Sequence, residues 1–179
     1  MTAKIEDIAE MRITRIYTYT LWERVWKNLH AAVVPDSVKS TWHLAIHDIF
    51  PTKERLAAIG LTDTCSCVHC GHIDTLQHRV VECGERPVIW HWTRERIVAI
   101  LRMDTRRIPV EWNLRPDFQL CSPQKQAAVI WILAHFIAYS LQSTKRLSLL
   151  DYMDFLRRAR WRLYNGPWRS KPAKYLDVL

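Results

Sequence analysis

Four potential metal ligands stand close together in the middle of the chain: Cys67, Cys70, His78 and Cys83. Their spacing is C-x2-C-x7-H-x4-C. Zinc prefers four thiolate or imidazole ligands arranged as a tetrahedron. Two cysteines separated by two residues can form a tight turn that directs both sulfurs to one centre. We therefore predict one structural zinc ion (Zn2+), with all four coordination positions filled by these residues.

Three neighbouring residues are alternative ligands, namely Cys65, His69 and His72. Cys65 is one residue away from Cys67, which makes a poor turn for two ligands, and His69 lies inside the turn, where its side chain would point away. A group of buried free thiols is the alternative to a metal. The chain begins MTAKIEDIAEMR, with no secretory signal. We therefore expect an intracellular protein, nuclear or cytoplasmic, in which clustered cysteines near histidines indicate metal rather than disulfide.

A short helix is predicted between the second and the fourth ligand. Asp74 would cap it, with Gln77 at the reach-back position of a capping box, and Gly84 would mark its end. His78 lies on this helix. Cys83 lies about 140° further round a helix of 3.6 residues per turn, so both side chains cannot share a face. We therefore expect Cys83 where the helix ends.

Apolar residues recur at helical spacing through most of the chain, and alternation with a period of two is rare. The sequence therefore predicts an all-α fold, a small helical domain with one zinc-stapled loop and helix. The main helices are predicted over residues 13–33, 36–50, 52–59, 86–103, 122–142 and 148–164. Asp36 or Ser37 would cap the second helix, Thr52 and Gly60 would mark the two ends of the third, Val88 would lie on the apolar side of the fourth, and Ser122-Pro123 would start the fifth. We divide the chain into an N-terminal helix region (1–34), a zinc-binding domain (35–104) and a C-terminal helical region with a basic tail (105–179).

The longest apolar stretch runs from Ala127 to Tyr139 and is interrupted by His135. A membrane-spanning helix needs about 20 predominantly apolar residues, so this stretch is too short. We expect a buried core helix, no membrane contact and a hydrogen-bonded His135 inside the core.

Positive charge predominates in the sequence. Lys and Arg exceed Asp and Glu by 26 to 18, for a net charge of +8 with neutral histidines. Between residues 145 and 179, aromatic side chains are interleaved with basic ones. Basic side chains can hold phosphates while aromatic rings stack on exposed bases. The nucleic-acid-binding candidates are Arg157, Arg158, Arg160, Arg162, Trp168, Arg169, Lys171 and Lys174.

The alternative for this region is an ordinary amphipathic helix. Its solvent-exposed face would carry Arg157, Arg158 and Arg162. Leu156, Trp161 and Leu163 would lie on the buried side.

A longer pattern surrounds the cysteines, from Trp42 to Trp92. It has a Trp-containing helix, a Pro-Thr turn, C-x2-C, an Asp-Thr pair before the histidine, a Glu-Cys pair and then a tryptophan. The residues that carry it are Trp42, Pro51, Thr52, Arg55, Leu56, Gly60, Cys67, Cys70, Asp74, Thr75, His78, Glu82, Cys83 and Trp90. This run resembles the zinc-binding (CCHC) segment that follows the reverse transcriptase in non-LTR (LINE-type) retrotransposons, notably the arthropod elements. RPDFQL and DYMDFLRRARW also resemble the C-terminal end of such polyproteins, which extends the resemblance over residues 20–165.

The resemblance implies a reverse-transcriptase-type zinc-binding domain over residues 35–104, in an accessory module that helps a polymerase hold RNA or DNA. It implies a reverse transcriptase domain as a partner and no catalysis by this chain. Tyr152-Met153-Asp154-Phe155 has one aspartate where a polymerase needs two for its metal ions. Some related elements carry an endonuclease with a Pro-Asp motif, which Pro116-Asp117 matches, but no acidic-x-Lys pair follows it.

A second hypothesis is a zinc-stapled protein-interaction scaffold. The chain has 9 tryptophans, and some would then be partly exposed contacts for a protein partner. The candidates are Trp22, Trp26, Trp90 and Trp92.

Overall fold

The computed structural model describes residues 19–102, 108–120, 122–142, 147–165 and 173–178. Its α-helices are α1 (Tyr19–Ala31), α2 (Asp36–Ile46), α3 (Lys53–Ala58), α4 (Arg86–Leu101), α5 (Pro123–Gln142) and α6 (Leu149–Asn165). Shorter segments are a π-helical turn (His78–Glu82) and two 3-10 segments (Val110–Asn113 and Ala173–Val178). Outside these helices, the described residues contain one isolated antiparallel bridge, between Ser66 and Ile73. The predicted all-α fold is confirmed.

Helix α5 is the centre of the hydrophobic core. It begins as predicted, with Pro123 at its first position and the Ser122 Oγ accepting a hydrogen bond from the Lys125 N–H at 3.4 Å. Every residue from 128 to 138 is buried. A helix that is apolar all round must be covered on every side, and α2 and α4 pack against it. In the part of the chain that the structure describes, no helix is long and apolar enough to cross a membrane.

His135 lies in the middle of α5 and is 2% exposed. Its Nδ1 is 2.8 Å from the carbonyl oxygen of Trp131, one turn earlier. Burial disfavours the charged imidazolium and lowers the pKa of His135 to about 4. The prediction of a hydrogen-bonded core histidine is confirmed.

Helix α2 is shorter than predicted and is capped differently. Pro35 is its N-cap and Asp36 its first helical residue, with no side-chain hydrogen bond at the cap. The helix ends at Ile46 because Asp48 adopts a left-handed conformation (φ 54°). The Ile49 N–H then donates to the carbonyl oxygen of residue 44 at 2.9 Å, which closes the helix end.

Helix α1 also ends earlier than predicted, at Ala31, and residues 13–18 of the predicted helix lie outside the described residues. Helix α4 ends at Leu101, and Arg102 after it is left-handed (φ 56°). Two residues of α4 differ from the predictions. Val88, predicted on the apolar side of the helix, is exposed, and Trp90, a candidate for a partly exposed protein contact, is buried.

Helix α6 packs on the core through Tyr152, Leu156 and Leu163. The last 3-10 segment lies against it, since the Arg160 Nη1 donates to the Leu176 carbonyl oxygen at 2.9 Å. One cluster of buried apolar side chains contains residues from all three predicted segments of the chain. The segment boundaries themselves stay a prediction.

Candidate metal centre

The four predicted ligand residues come together in the structure. One ligand atom from each of Cys67, Cys70, His78 and Cys83 lies within 4.8 Å of all the others. The Cys67 and Cys83 sulfurs are 3.6 Å apart, the Cys70 and Cys83 sulfurs 3.8 Å, and the Cys70 sulfur is 3.2 Å from the His78 Nε2. Two sulfurs that each lie about 2.3 Å from a tetrahedral zinc would be about 3.8 Å apart, whereas a disulfide needs about 2.05 Å. The arrangement can hold one metal ion.

The first two ligands sit in a tight turn. The Cys67 N–H donates to the His72 carbonyl oxygen at 2.7 Å, and the Gly71 N–H donates to the Cys67 carbonyl oxygen at 2.9 Å. Gly71 has a φ of 78°, a left-handed conformation in which any other residue except Asn or Asp would be strained. These bonds hold Cys67 and Cys70 on the same side of the turn, as two ligands of one ion require.

The alternative ligands lie outside this group. Cys65, His69 and His72 are all exposed. The His72 ring approaches the His78 ring to a centroid distance of 6.1 Å, but His72 contributes no atom to the four-ligand group. The geometry favours the predicted set.

The helix that carries His78 begins differently from the prediction. Thr75, not Asp74, is its capping residue: the Thr75 Oγ1 accepts the His78 N–H at 2.9 Å. The Asp74 carboxylate instead accepts the Lys53 N–H at 2.8 Å, at the start of α3, and forms an ion pair with Arg79. Gln77 does not reach back to close a capping box, because its amide donates to the Glu82 carboxylate at 2.7 Å.

A π-helical turn brings the last two ligands together. The Cys83 N–H donates to the His78 carbonyl oxygen at 3.0 Å, five residues back, where an α-helix would bond four residues back. Cys83 follows the turn in an extended conformation (φ −79°, ψ 127°), so the prediction that it lies where the helix ends is confirmed. Gly84 follows in a left-handed conformation (φ 58°). Nothing in the spacing alone indicates a π-helical turn.

The two buried thiols differ in acidity. For Cys67, burial opposes the thiolate, but hydrogen bonds with the His69 and Cys70 backbone and with the His78 and Cys83 side chains lower its pKa to about 6. For Cys83, burial and its contact with Cys67 raise the pKa to about 12. A metal ion binds thiolates, so its binding would release the Cys83 proton.

Arg86 connects the centre to the core and was not predicted as part of the site. It is buried, and its guanidinium donates to the Cys83 carbonyl oxygen at 3.3 Å and to the Ser140 carbonyl oxygen on α5 at 3.4 Å. A divalent ion with three thiolates and one neutral imidazole carries a net charge of −1. The guanidinium lies where it can offset that charge.

The predicted nucleic-acid-binding residues do not form one set. Arg157, Arg158 and Arg162 are exposed on α6, whereas Arg160 is half-buried against the 3-10 segment. Trp168, Arg169 and Lys171 lie outside the described residues, as does the side chain of Lys174.

One placement in the amphipathic-helix alternative for α6 was wrong. Trp161 is 66% exposed and lies on the solvent side of the helix, not on the buried side with Leu156 and Leu163.

The tryptophans proposed as protein contacts have mixed positions. Trp22 and Trp26 are half-buried and stack on each other at 5.8 Å, and Trp26 also stacks on His47 at 5.0 Å. Trp92 is half-buried against Tyr152. Trp90 lies in the core and cannot contact a partner.

Comparisons of the chain with protein-family models, with curated proteins and with solved structures found no match.

Proposed function

We propose that this chain is a zinc-binding, nucleic-acid-binding accessory module without polymerase catalysis. The observation that carries the zinc-binding part of the proposal is the convergence of Cys67, Cys70, His78 and Cys83 on one point. Three thiols and one imidazole suit zinc, and a site that fills all four tetrahedral positions with protein ligands is structural rather than catalytic. When bound, the ion would fix the cysteine turn to the His78 helix.

Zinc identity is tested by native mass spectrometry and X-ray absorption of the protein purified without added metal. We expect one zinc per chain, with three sulfur neighbours and one nitrogen neighbour. A chain that is fully folded and metal-free, or a shell of four sulfurs, would contradict the proposed ligand set.

We propose that the module derives from the C-terminal part of a non-LTR retrotransposon reverse transcriptase. The support is the sequence pattern from Trp42 to Trp92 around the four ligands. A reverse transcriptase domain would then be a protein partner, and the compartment would be nuclear or cytoplasmic. A reading frame for a reverse transcriptase directly upstream of this sequence in its genome would support this origin, and unrelated upstream sequence would count against it.

Nucleic acid is the proposed ligand because of the +8 net charge and the exposed arginines of α6. Such binding depends on phosphate contacts, so it should be weak, nearly independent of sequence and steeply dependent on salt. Fluorescence anisotropy with labelled RNA at several salt concentrations tests it. Each phosphate contact should contribute about −0.7 to the slope of log affinity against log salt on single strands. Absence of binding at low salt would refute the function and favour the protein-interaction scaffold.

We further propose that the chain is not itself an enzyme. Asp117 lies in the irregular segment before α5, whereas Asp154 lies on α6, where it is paired with Arg157 on the exposed side. Incubation with DNA and magnesium or manganese should give no cleavage. Cleavage that is lost in Asp117→Asn would overturn this proposal.

A further inference from the structure

The side chain of Trp161 lies at the middle of the outward face of α6. Leu156 and Leu163 point into the core, and Trp161 lies about 140° and about 160° around the helix from them. The indole is consequently 66% exposed. Burial of an indole is strongly favourable, so a tryptophan held in this position is available to a ligand.

The surroundings of this ring are mostly basic. Arg158 and Arg162 are both exposed and stand one turn apart on one side of it. On the other side lie Arg157, which is paired with Asp154, and Tyr164, whose hydroxyl donates to the Asp177 carboxylate at 2.8 Å. Around the helix, Trp161 therefore lies between two exposed arginines on one side and a hydrogen-bonded tyrosine on the other.

We propose that this face of α6 binds single-stranded nucleic acid, with the Trp161 indole stacked on one unpaired base and with Arg158 and Arg162 holding adjacent phosphates. The inference rests on the nucleic-acid-binding function proposed above and specifies its ligand. Every base offers an aromatic face to an indole when it is unpaired, so stacking tolerates any sequence. A duplex presents only base edges in its grooves, which the ring cannot stack on. The guanidinium groups beside the ring favour an anionic ligand over a protein, because the centre of a protein interface is usually depleted of charge.

The test uses the full zinc-loaded chain and two probes, a labelled 15-nucleotide oligouridine and an RNA duplex of the same length. Trp161→Ala should weaken oligouridine binding by about 5- to 150-fold, the loss expected when one base loses its stacking partner, and should leave duplex binding within about twofold. Trp161→Phe keeps an aromatic ring and should recover most of the loss. Leu150→Ala is the matched control, since Leu150 is 75% exposed on the same helix but has no aromatic ring.

The arginines should behave differently from the tryptophan. Arg158→Gln with Arg162→Gln should weaken both probes and reduce the single-strand salt slope by about 1.4, two contacts at about 0.7 each. Arg24→Gln, an exposed arginine on α1, should change neither.

The outcomes distinguish the stacking inference from the nucleic-acid-binding function on which it rests. If Trp161→Ala binds oligouridine as wild type does while the double arginine variant loses affinity, the stacking inference is wrong and the nucleic-acid function stands. Equal losses on oligouridine and duplex in Trp161→Ala would also overturn it. If wild type binds neither probe at low salt, both proposals fail.

Discussion

The cysteine segment, residues 60–85, and helix α5 are held in place by different means. In α5, every residue from 128 to 138 is buried, and its neighbours cover it on all sides. In the cysteine segment the apolar side chains of Leu61, Val68 and Ile73 are exposed, and only Leu76 and Val80 are buried apolar residues other than cysteines. A segment with so little buried apolar surface needs another source of stability. The four-ligand group could supply it by holding a metal ion.

The largest effect is expected from Cys83→Ser, which removes one of the four ligands. Loss of an outer-shell partner typically lowers metal affinity about 10- to 100-fold, and loss of a direct ligand should cost more. Competition with a chromophoric chelator measures the affinity. Cys65→Ser removes an exposed thiol outside the ligand group and should bind zinc as wild type does. Full affinity in Cys83→Ser would assign the fourth position to Cys65, His69 or His72.

The next largest effect is expected from a substitution that creates a cavity beside α5. Leu133 is fully buried, so Leu133→Ala should lower the free energy of unfolding by about 2–5 kcal/mol, measured by urea denaturation in excess zinc. Zinc affinity should not change. Val68 lies between two ligands but is 72% exposed, so Val68→Ala should stay within about 0.5 kcal/mol. Equal losses in the two variants would mean that the cysteine segment also depends on apolar burial.

Asp74 is the polar connection between the cysteine segment and α3. Its buried carboxylate binds the Lys53 N–H and Arg79, so Asp74→Ala should lower the free energy of unfolding by about 1.5–3 kcal/mol. Urea denaturation measures this loss. Asp63→Ala is the control, because Asp63 is exposed in the same segment. No difference between the two variants would show that the Asp74 contacts do not stabilise the fold.

The smallest predicted effect is the pH dependence of stability that the buried His135 of α5 causes. Burial lowers the pKa of His135 to about 4 in the folded chain, whereas an unfolded histidine has a pKa of 6.5. Below pH 6.5 the unfolded chain binds a proton that the folded chain does not, so stability falls as the pH drops towards 4. Between pH 7.5 and pH 5 this loss should be about 2 kcal/mol.

His135→Gln removes the titrating group, so urea denaturation should show a smaller loss over the same pH range in this variant. Both proteins keep the four predicted ligand residues, so any acid sensitivity of that group cancels in the comparison. Parallel pH profiles would show that His135 is not the group responsible.

Local signals predicted much of this structure correctly. Ser122 and Pro123 mark the start of α5, and Thr52 and Gly60 mark the two ends of α3, where the Thr52 Oγ1 accepts the Arg55 N–H at 3.2 Å. The sequence also predicted that Cys67, Cys70, His78 and Cys83 come together, because two cysteines at one short spacing restrict the geometry strongly. These signals depend on residues close together in the chain.

The wrong predictions concern features that depend on contacts between residues far apart in the chain, or on which face of a helix a residue occupies. Asp74 and Thr75 are both good capping residues, and the choice between them depends on Lys53, 21 residues away. The amphipathic-helix alternative placed Trp161 on the buried side of α6, although its angular distance of about 160° from Leu163 places it on the solvent side.

Removal of the metal tests the contrast between the two regions most directly. The chain would be treated with a chelator, and amide hydrogen exchange would be compared with the zinc-loaded protein for residues 60–85 and for α5. We predict that the amides of the cysteine segment lose their protection while those of α5 remain protected. Protection that is unchanged in both regions would contradict a structural metal ion, and protection lost equally in both would contradict a core that is stable without it.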